Sequence, residues 1–158
     1  KTKFYLFGNI KTLDSKILKH VKKQKNVFLN NYITYNKIPK VLSSNKVLLM
    51  PYEKKIGVLI KNLDVSNYIS PLKLFDYLAS GSVIVASKKK VYNHILKNNS
   101  NSNLINSYNT KDWSKTISLI LENKLKISHL KKNAIKTAKK FNWLNRAQSI
   151  INFAIRNK

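Results

Sequence analysis

Short runs of unbroken apolar sequence, separated by stretches whose apolar residues recur at helical spacing, constrain this chain more than any other feature. FYLF at 4–7 ends at Gly8-Asn9, VFL at 27–29 is closed by Asn30-Asn31, and VLLM at 47–50 is stopped by Pro51. VIVA at 83–86 and Leu104-Ile105 supply two more such runs. Between and after them lie Leu13/Ile17/Leu18/Val21, a short pattern carrying Ile38, Val41 and Leu42 around Pro39, and a segment at 89–97 that reads as a helix. The last third is helical, with stripes through Trp113/Ile117/Ile120, Ile127/Leu130/Ala134/Ala138/Phe141 and Trp143/Ala147/Ile150/Ile151/Ala154. Both tryptophans, Trp113 and Trp143, read as core residues on these stripes. Apolar strands without alternation are strands buried on both faces, and their alternation with helices implies a parallel sheet covered on both sides. Right-handed crossovers then give an α/β, doubly wound (Rossmann-like) sheet with C-terminal helices, a single domain over 1–158. Ligands in such folds bind beyond the C-terminal ends of the strands, so the loops to inspect begin at Gly8, Asn30, Pro51 and Ser87. Residues 51–70 form an irregular stretch of a length usually tied to function.

Charge invites a competing reading. The formal net charge is +25 and the hydrophobic content is 43%, which is globular and not disordered. The cations are 29 lysines and two arginines, Arg146 and Arg156, whereas a reader of nucleic-acid sequence needs the planar fork of arginine. Lys, Asn and Ile account for 67 of 158 residues, a bias spread along the chain that A/T-rich codons alone would produce. Most lysines therefore read as a solvated surface, with attraction to an anionic membrane, nucleic acid or substrate as the alternative.

The segment that carries chemistry is SPLKLFDYLASG at 70–81. Ser70 suits an N-cap, Pro71 the first helical position and Gly81 the terminating one. The start of a helix presents free amides and the positive end of its dipole, here through Leu72, Lys73 and Leu74, and so can hold an anion. Ser70, Lys73, Asp76 and Ser80 share one face, while Leu72, Phe75, Leu78 and Ala79 offer apolar contacts. Asp76 is one of six acids in the chain; about two turns below a bound phosphate it could accept hydrogen bonds from a pair of ribose hydroxyls. The plainer alternative is an i,i+3 salt bridge to Lys73.

The stretch SPLKLFDYLASGSVIVAS at 70–87 resembles the nucleotide-sugar signature of the group 1 glycosyltransferases with the GT-B fold. NNYITYNKIPKVLSSNKVLLMPY at 30–52 is similar to the family segment that joins a base-binding loop, a short helix and a strand ending in Pro. FNW at 141–143 resembles the motif before the family's last helix. The resemblance implies part of the C-terminal domain of a longer two-domain chain, an expectation that the opening at Lys1, without leader or Met, also suggests. It implies that Asp76, where the family usually has Glu, holds the ribose, and that Ser70, Pro71, Leu72 and Lys73 cradle the diphosphate. Tyr32 and Ile33 would contact the base through main-chain atoms, and Gly8 would line the cleft. The activity implied is metal-independent transfer of a hexosyl group from a nucleoside-diphosphate sugar to an acceptor hydroxyl, in polysaccharide biosynthesis. No catalytic residue is identified, no cofactor is expected beside the donor, and no Asp-x-Asp metal motif occurs. Expected partners are the donor, a saccharide or lipid-linked acceptor and an N-terminal domain of the same chain, without which the chain would be inactive. The expected location is cytoplasmic, with peripheral contact at the inner face of the membrane and no specific nucleic acid.

Other chemistries have less to stand on. His20, His94 and His129 are scattered, there is no cysteine, and neither a P-loop nor G-x-G-x-x-G occurs. No apolar run approaches the roughly 18 residues of a spanning helix. Two readings remain beside the enzyme: a lysine-rich polyanion-binding module, for RNA or acidic membranes, and a non-catalytic relative of the glycosyltransferases.

Overall fold

The computed structural model describes residues 2–53, 68, 71–106 and 108–156. Contacts divide the chain into two compact units, Lys1–Ile38 and Pro39–Lys158.

In the first unit β1 (Phe4–Phe7) and β2 (Val27–Asn30) pair in parallel, with Phe4 opposite Val27 and Phe7 opposite Asn30. The crossover between them is α1 (Ser15–Lys22), which starts where the Asp14 carboxylate accepts hydrogen bonds from the amides of Lys16 (2.9 Å) and Ile17 (3.2 Å). The Tyr5 and Phe28 rings stack across the strands with centroids 5.2 Å apart. The expectation that FYLF is buried on both faces does not hold, because Tyr5, Leu6 and Phe7 are exposed. A two-stranded sheet with one short helix has too little surface to cover both of its faces.

The second unit begins around α2 (Ile38–Ser43), which straddles the division, and β3 (Val47–Met50). Then come α3 (Lys73–Ser80), β4 (Val83–Ser87), β5 (Asn103–Ile105), α4 (Thr110–Leu121), α5 (Ser128–Lys140) and α6 (Trp143–Arg156). The strands form a parallel sheet in the order β3-β4-β5, with β4 central. All five residues of β4 are buried, and their alternation sorts them into two cores. Ile84 and Ala86 pack with Leu74 and Leu78 of α3, Ala134 of α5, and Tyr92. Val83 and Val85 face the other way, toward Ile105, Ile120 of α4 and Leu130 of α5. Helices thus cover both faces of this sheet, as the apolar runs require. Gly81 ends α3 in the left-handed conformation (φ 73°), and a Cβ there would stand 3.2 Å from Cδ1 of Ile135.

Two further expectations are corrected in this unit. Residues 89–97 form no α-helix: a single 3-10 turn at Lys90–Tyr92 is followed by irregular chain. Asn101 explains this, because its carboxamide donates to the Ile95 carbonyl (2.8 Å) and accepts from the Lys97 amide (2.8 Å), occupying groups a helix would pair. Trp143 is not core. It is 82% exposed, and every residue of α6 is exposed with it. The side chain of Asn142 accepts from the Asn145 amide (2.7 Å) and begins a new helix just after α5 has used its own apolar face on the sheet. Trp113, by contrast, packs partly buried against the second core, as its stripe suggests.

Candidate functional site

The C-terminal ends of β3 and β4 are joined by side chains. Pro51 cannot continue the ladder of β3, and the next backbone unit, Tyr52, finds its partner outside the sheet. The hydroxyl of Ser87, the last residue of β4, accepts from the Tyr52 amide (2.7 Å) and donates to the Tyr52 carbonyl (2.8 Å). The carbonyl of Ser87 in turn accepts from the Tyr92 hydroxyl, and the Lys89 ammonium donates to the carbonyl of Glu53. Ser87 is fully buried, as are Tyr92 and Lys89 nearly so. Burial pushes the Tyr92 phenol well above its ordinary value, with Tyr52 adding a smaller effect. Sequence reasoning noted the loops after Pro51 and Ser87 but not the bonds between them. The usable signal was Pro51 itself, since a proline at the end of a strand strands the polar groups that follow it.

Beside this junction stands the start of α3. The helix is regular from Lys73, later than the expected cap at Ser70, which lies outside the described residues. Pro71 and Leu72 form a tight first turn in which the Leu74 amide donates to the Pro71 carbonyl (2.9 Å) and the Phe75 amide to the Leu72 carbonyl (3.0 Å). The Leu74 amide is therefore engaged, and the amides without a partner among the described residues are those of Leu72 and Lys73. Leu72 is 77% exposed and contributes nothing to the core, a role that falls to Leu74 and Leu78. Phe75 packs against Phe141, centroids 5.8 Å apart, which ties the FNW motif to this helix.

Asp76 lies in the first turn of α3, about 4.5 Å of axial rise from Lys73, and not two turns below the tip. There the positive end of the helix dipole favours its negative charge. Among the described residues no ion pair joins it to Lys73, so the salt-bridge alternative finds no support. The Lys73 ammonium lies instead over the Tyr52 ring, 4.9 Å from its centroid. Tyr77, the next residue, donates to the Leu49 carbonyl (3.4 Å), and its phenol is pushed up by burial first, then by Tyr52 and the charge of Asp76. Pro71, Leu72, Lys73 and Asp76 are thus brought together at one helix start, with Tyr52 alongside.

Gly8, Tyr32 and Ile33 belong to the first unit. The Gly8 amide donates to the Asn30 carbonyl (3.0 Å), and a Cβ at Gly8 would meet nothing within 4 Å. Tyr32 is 79% exposed and Ile33 half-buried, in the irregular segment between β2 and the 3-10 turn at Tyr35–Lys37. Among the described residues no group of three or more His, Asp or Glu is placed to hold a metal, and no helix is long and apolar enough to cross a membrane.

The family described as glycosyl transferases group 1 matches residues 1–141. No curated protein matches the sequence. Among solved structures, HepE (Alr3699) of Anabaena in complex with UDP-glucose is similar with a TM-score of 0.74 at 12% identity, over 98% of this chain and 41% of that one. TarM is similar with a TM-score of 0.69 at 21% identity, over 95% of this chain and 28% of that one. The C-terminal domain of LpcC from Francisella tularensis, a group 1 glycosyltransferase, gives 0.58 at 19% identity, over 80% of this chain and 60% of that one. The chain therefore spans less than half the length of the first two, and at these identities the likeness speaks for the fold.

Proposed function

This chain is a member of the group 1 glycosyltransferase family, and on that premise we propose that it holds the nucleoside-diphosphate sugar from which a hexosyl group passes to an acceptor hydroxyl. The proposal extends to the whole protein: a second, acceptor-binding domain completes the active site, and the product is a saccharide or glycolipid made at the cytoplasmic face of a membrane. In the transfer, the bond from the anomeric carbon to the diphosphate oxygen breaks. The acceptor oxygen bonds to that carbon, and the acceptor loses its proton. Negative charge accumulates on the departing diphosphate. Amides of Leu72 and Lys73, the dipole of α3 and the Lys73 ammonium are the groups this chain offers to stabilise it. The Asp76 carboxylate accepts hydrogen bonds from the two ribose hydroxyls. Ser70, beside the cradle in sequence, adds a hydroxyl.

The observation that carries this reading is Asp76 itself: an acid at the start of a helix that matches the family signature, with no cation paired to it among the described residues. Calorimetric titration with UDP, GDP, their sugars and inorganic phosphate tests it. Saturable binding of one diphosphate nucleotide is expected. Asp76→Ala should weaken it about tenfold or more, the worth of a charge-assisted hydrogen bond of roughly 1.5–3 kcal/mol. Affinity no greater for any nucleotide than for phosphate would remove the reading. Binding that collapses with salt and ignores Asp76→Ala would favour the polyanion module instead.

A further inference from the structure

We propose that Tyr52 is a positioning residue for the donor's diphosphate, acting through Lys73, and that Ser87 fixes Tyr52 for that task. The inference rests on the donor-binding reading above and adds to it two residues that the helix signature does not contain.

The argument begins with where Lys73 stands. It is the first residue of α3, at the positive end of the helix dipole, where a cation is electrostatically misplaced. Asp76 lies one turn away but is not its ion-pair partner among the described residues. What the ammonium has instead is the face of an aromatic ring, 4.9 Å from the Tyr52 centroid. A carboxylate partner would cancel the charge. A ring attracts the ammonium through its quadrupole while leaving the full positive charge on view. Positive dipole, two amides and an ammonium, none of them with a hydrogen-bond or ion-pair partner among the described residues, thus accumulate at one helix start, and an anion is the species that relieves them.

The ring can do this only if it does not move, and its backbone is held accordingly. Both main-chain polar groups of Tyr52 are bound by the one hydroxyl of Ser87, at 2.7 and 2.8 Å, and Ser87 is fully buried at the end of the central strand. The Ser87 carbonyl is fastened by the Tyr92 hydroxyl, and the carbonyl of Glu53, next in the loop, by Lys89. Every link runs back to β4 or the residues that follow it, so the position of the Lys73 ammonium is referred to the fully buried central strand of the unit.

The test compares UDP with uridine, which lacks the phosphates, as ligands of the unaltered protein and of Tyr52→Phe, Tyr52→Leu, Tyr52→Met and Lys73→Ala. Tyr52→Phe keeps the ring face and should bind UDP within about twofold of the unaltered protein. Tyr52→Leu should lose about threefold to tenfold toward UDP, the span expected of a cation–π contact at a partly exposed site, with uridine affinity unchanged. Tyr52→Met keeps the backbone bonds and most of the volume, and gives the same readout if the leucine variant folds poorly. In a Lys73→Ala background Tyr52→Leu should cost nothing further. Equal losses toward UDP and uridine, equal losses in Tyr52→Phe and Tyr52→Leu, or a loss that persists without Lys73 would each overturn the assignment. If the unaltered protein binds GDP and not UDP, GDP and guanosine take the same places in the comparison. If it binds neither diphosphate, the donor-binding reading falls and this one with it, whereas diphosphate binding indifferent to the ring overturns this one alone.

Discussion

β4 runs between two parallel neighbours and all five of its residues are buried, whereas among the described residues β1 has one neighbour and three of its four residues are exposed. Both are unbroken apolar runs. The difference is in what surrounds them. The faces of β4 are covered separately, Ile84 and Ala86 by α3 and α5, Val83 and Val85 by α4 and α5. The unit that holds β1 ends at Ile38 and owns one α-helix of eight residues besides the start of α2. An apolar run records the burial a strand can accept, and the number of covering elements decides how much of it occurs.

Truncation at matched sites gives the largest effect and the most direct way to break this contrast. Ile84→Ala, in β4, should cost about 2–5 kcal/mol, since it removes a fully buried side chain and leaves a cavity. Leu6→Ala, at a side chain 45% exposed, should cost under about 1 kcal/mol. Chemical denaturation with a shared m-value reads both. Comparable losses would mean that β1 is as fully covered in solution as β4, and the contrast would vanish.

The same contrast explains how much could be foreseen. The five described strands were legible because each contains an apolar run, and three of them are closed by residues that form turns or cannot extend a ladder, Gly8-Asn9 after β1, Asn30-Asn31 at β2 and Pro51 after β3. The end of α3 was legible at Gly81, where a positive φ is required. At its other end the regular helix begins at Lys73 after a tight turn through Pro71 and Leu72, and the expected cap at Ser70 lies outside the described residues. The missing helix at 89–97 was not legible. Its competitor, Asn101, lies beyond the segment, and no periodicity within 89–97 reports it. In the candidate site, Asp76 and Lys73 stood out as charges on an apolar helix. Tyr52 and Ser87 did not, since their interaction joins the ends of two strands, 35 residues apart, through one hydroxyl.

The strand ends extend the comparison at smaller cost. At the end of β4 Ser87 satisfies two backbone groups of Tyr52, while at the end of β2 the Asn30 carboxamide only supplements the ladder, donating toward the carbonyls of Phe28 (3.3 Å) and Leu6 (3.5 Å). Ser87→Ala leaves the Tyr52 amide and carbonyl without their partner in a partly buried setting and should cost about 1–3 kcal/mol. Asn30→Ala should stay within about 1 kcal/mol, because its bonds are long and exposed to water. Thermal melts of the two variants, side by side, rank them. A smaller shift for Ser87→Ala than for Asn30→Ala would show that the junction after β4 carries no more than an ordinary surface turn.

The smallest effect at neutral pH, and the one with the clearest sign, concerns Tyr92 behind that junction. Burial holds its phenol neutral in the folded protein beyond the ordinary value of 10.0. In the unfolded chain the phenol ionises at its ordinary pKa, so above about pH 10 the unfolded state has lost a proton that the folded state keeps. Its contribution is complete below pH 10 and declines as pH rises further. Lysine deprotonation acts on the same range by relieving repulsion in a chain of net charge +25, so the informative quantity is the difference between the unaltered protein and Tyr92→Phe. That difference should be constant below pH 10, reflecting the hydroxyl's bond to the Ser87 carbonyl, and should shrink above it as the unaltered protein loses its advantage. Denaturation midpoints measured from pH 8 to 11.5 follow it. A difference that stays flat through pH 11 would mean that the Tyr92 ring reaches water, and that the end of β4 is as open as the strand it has been set against.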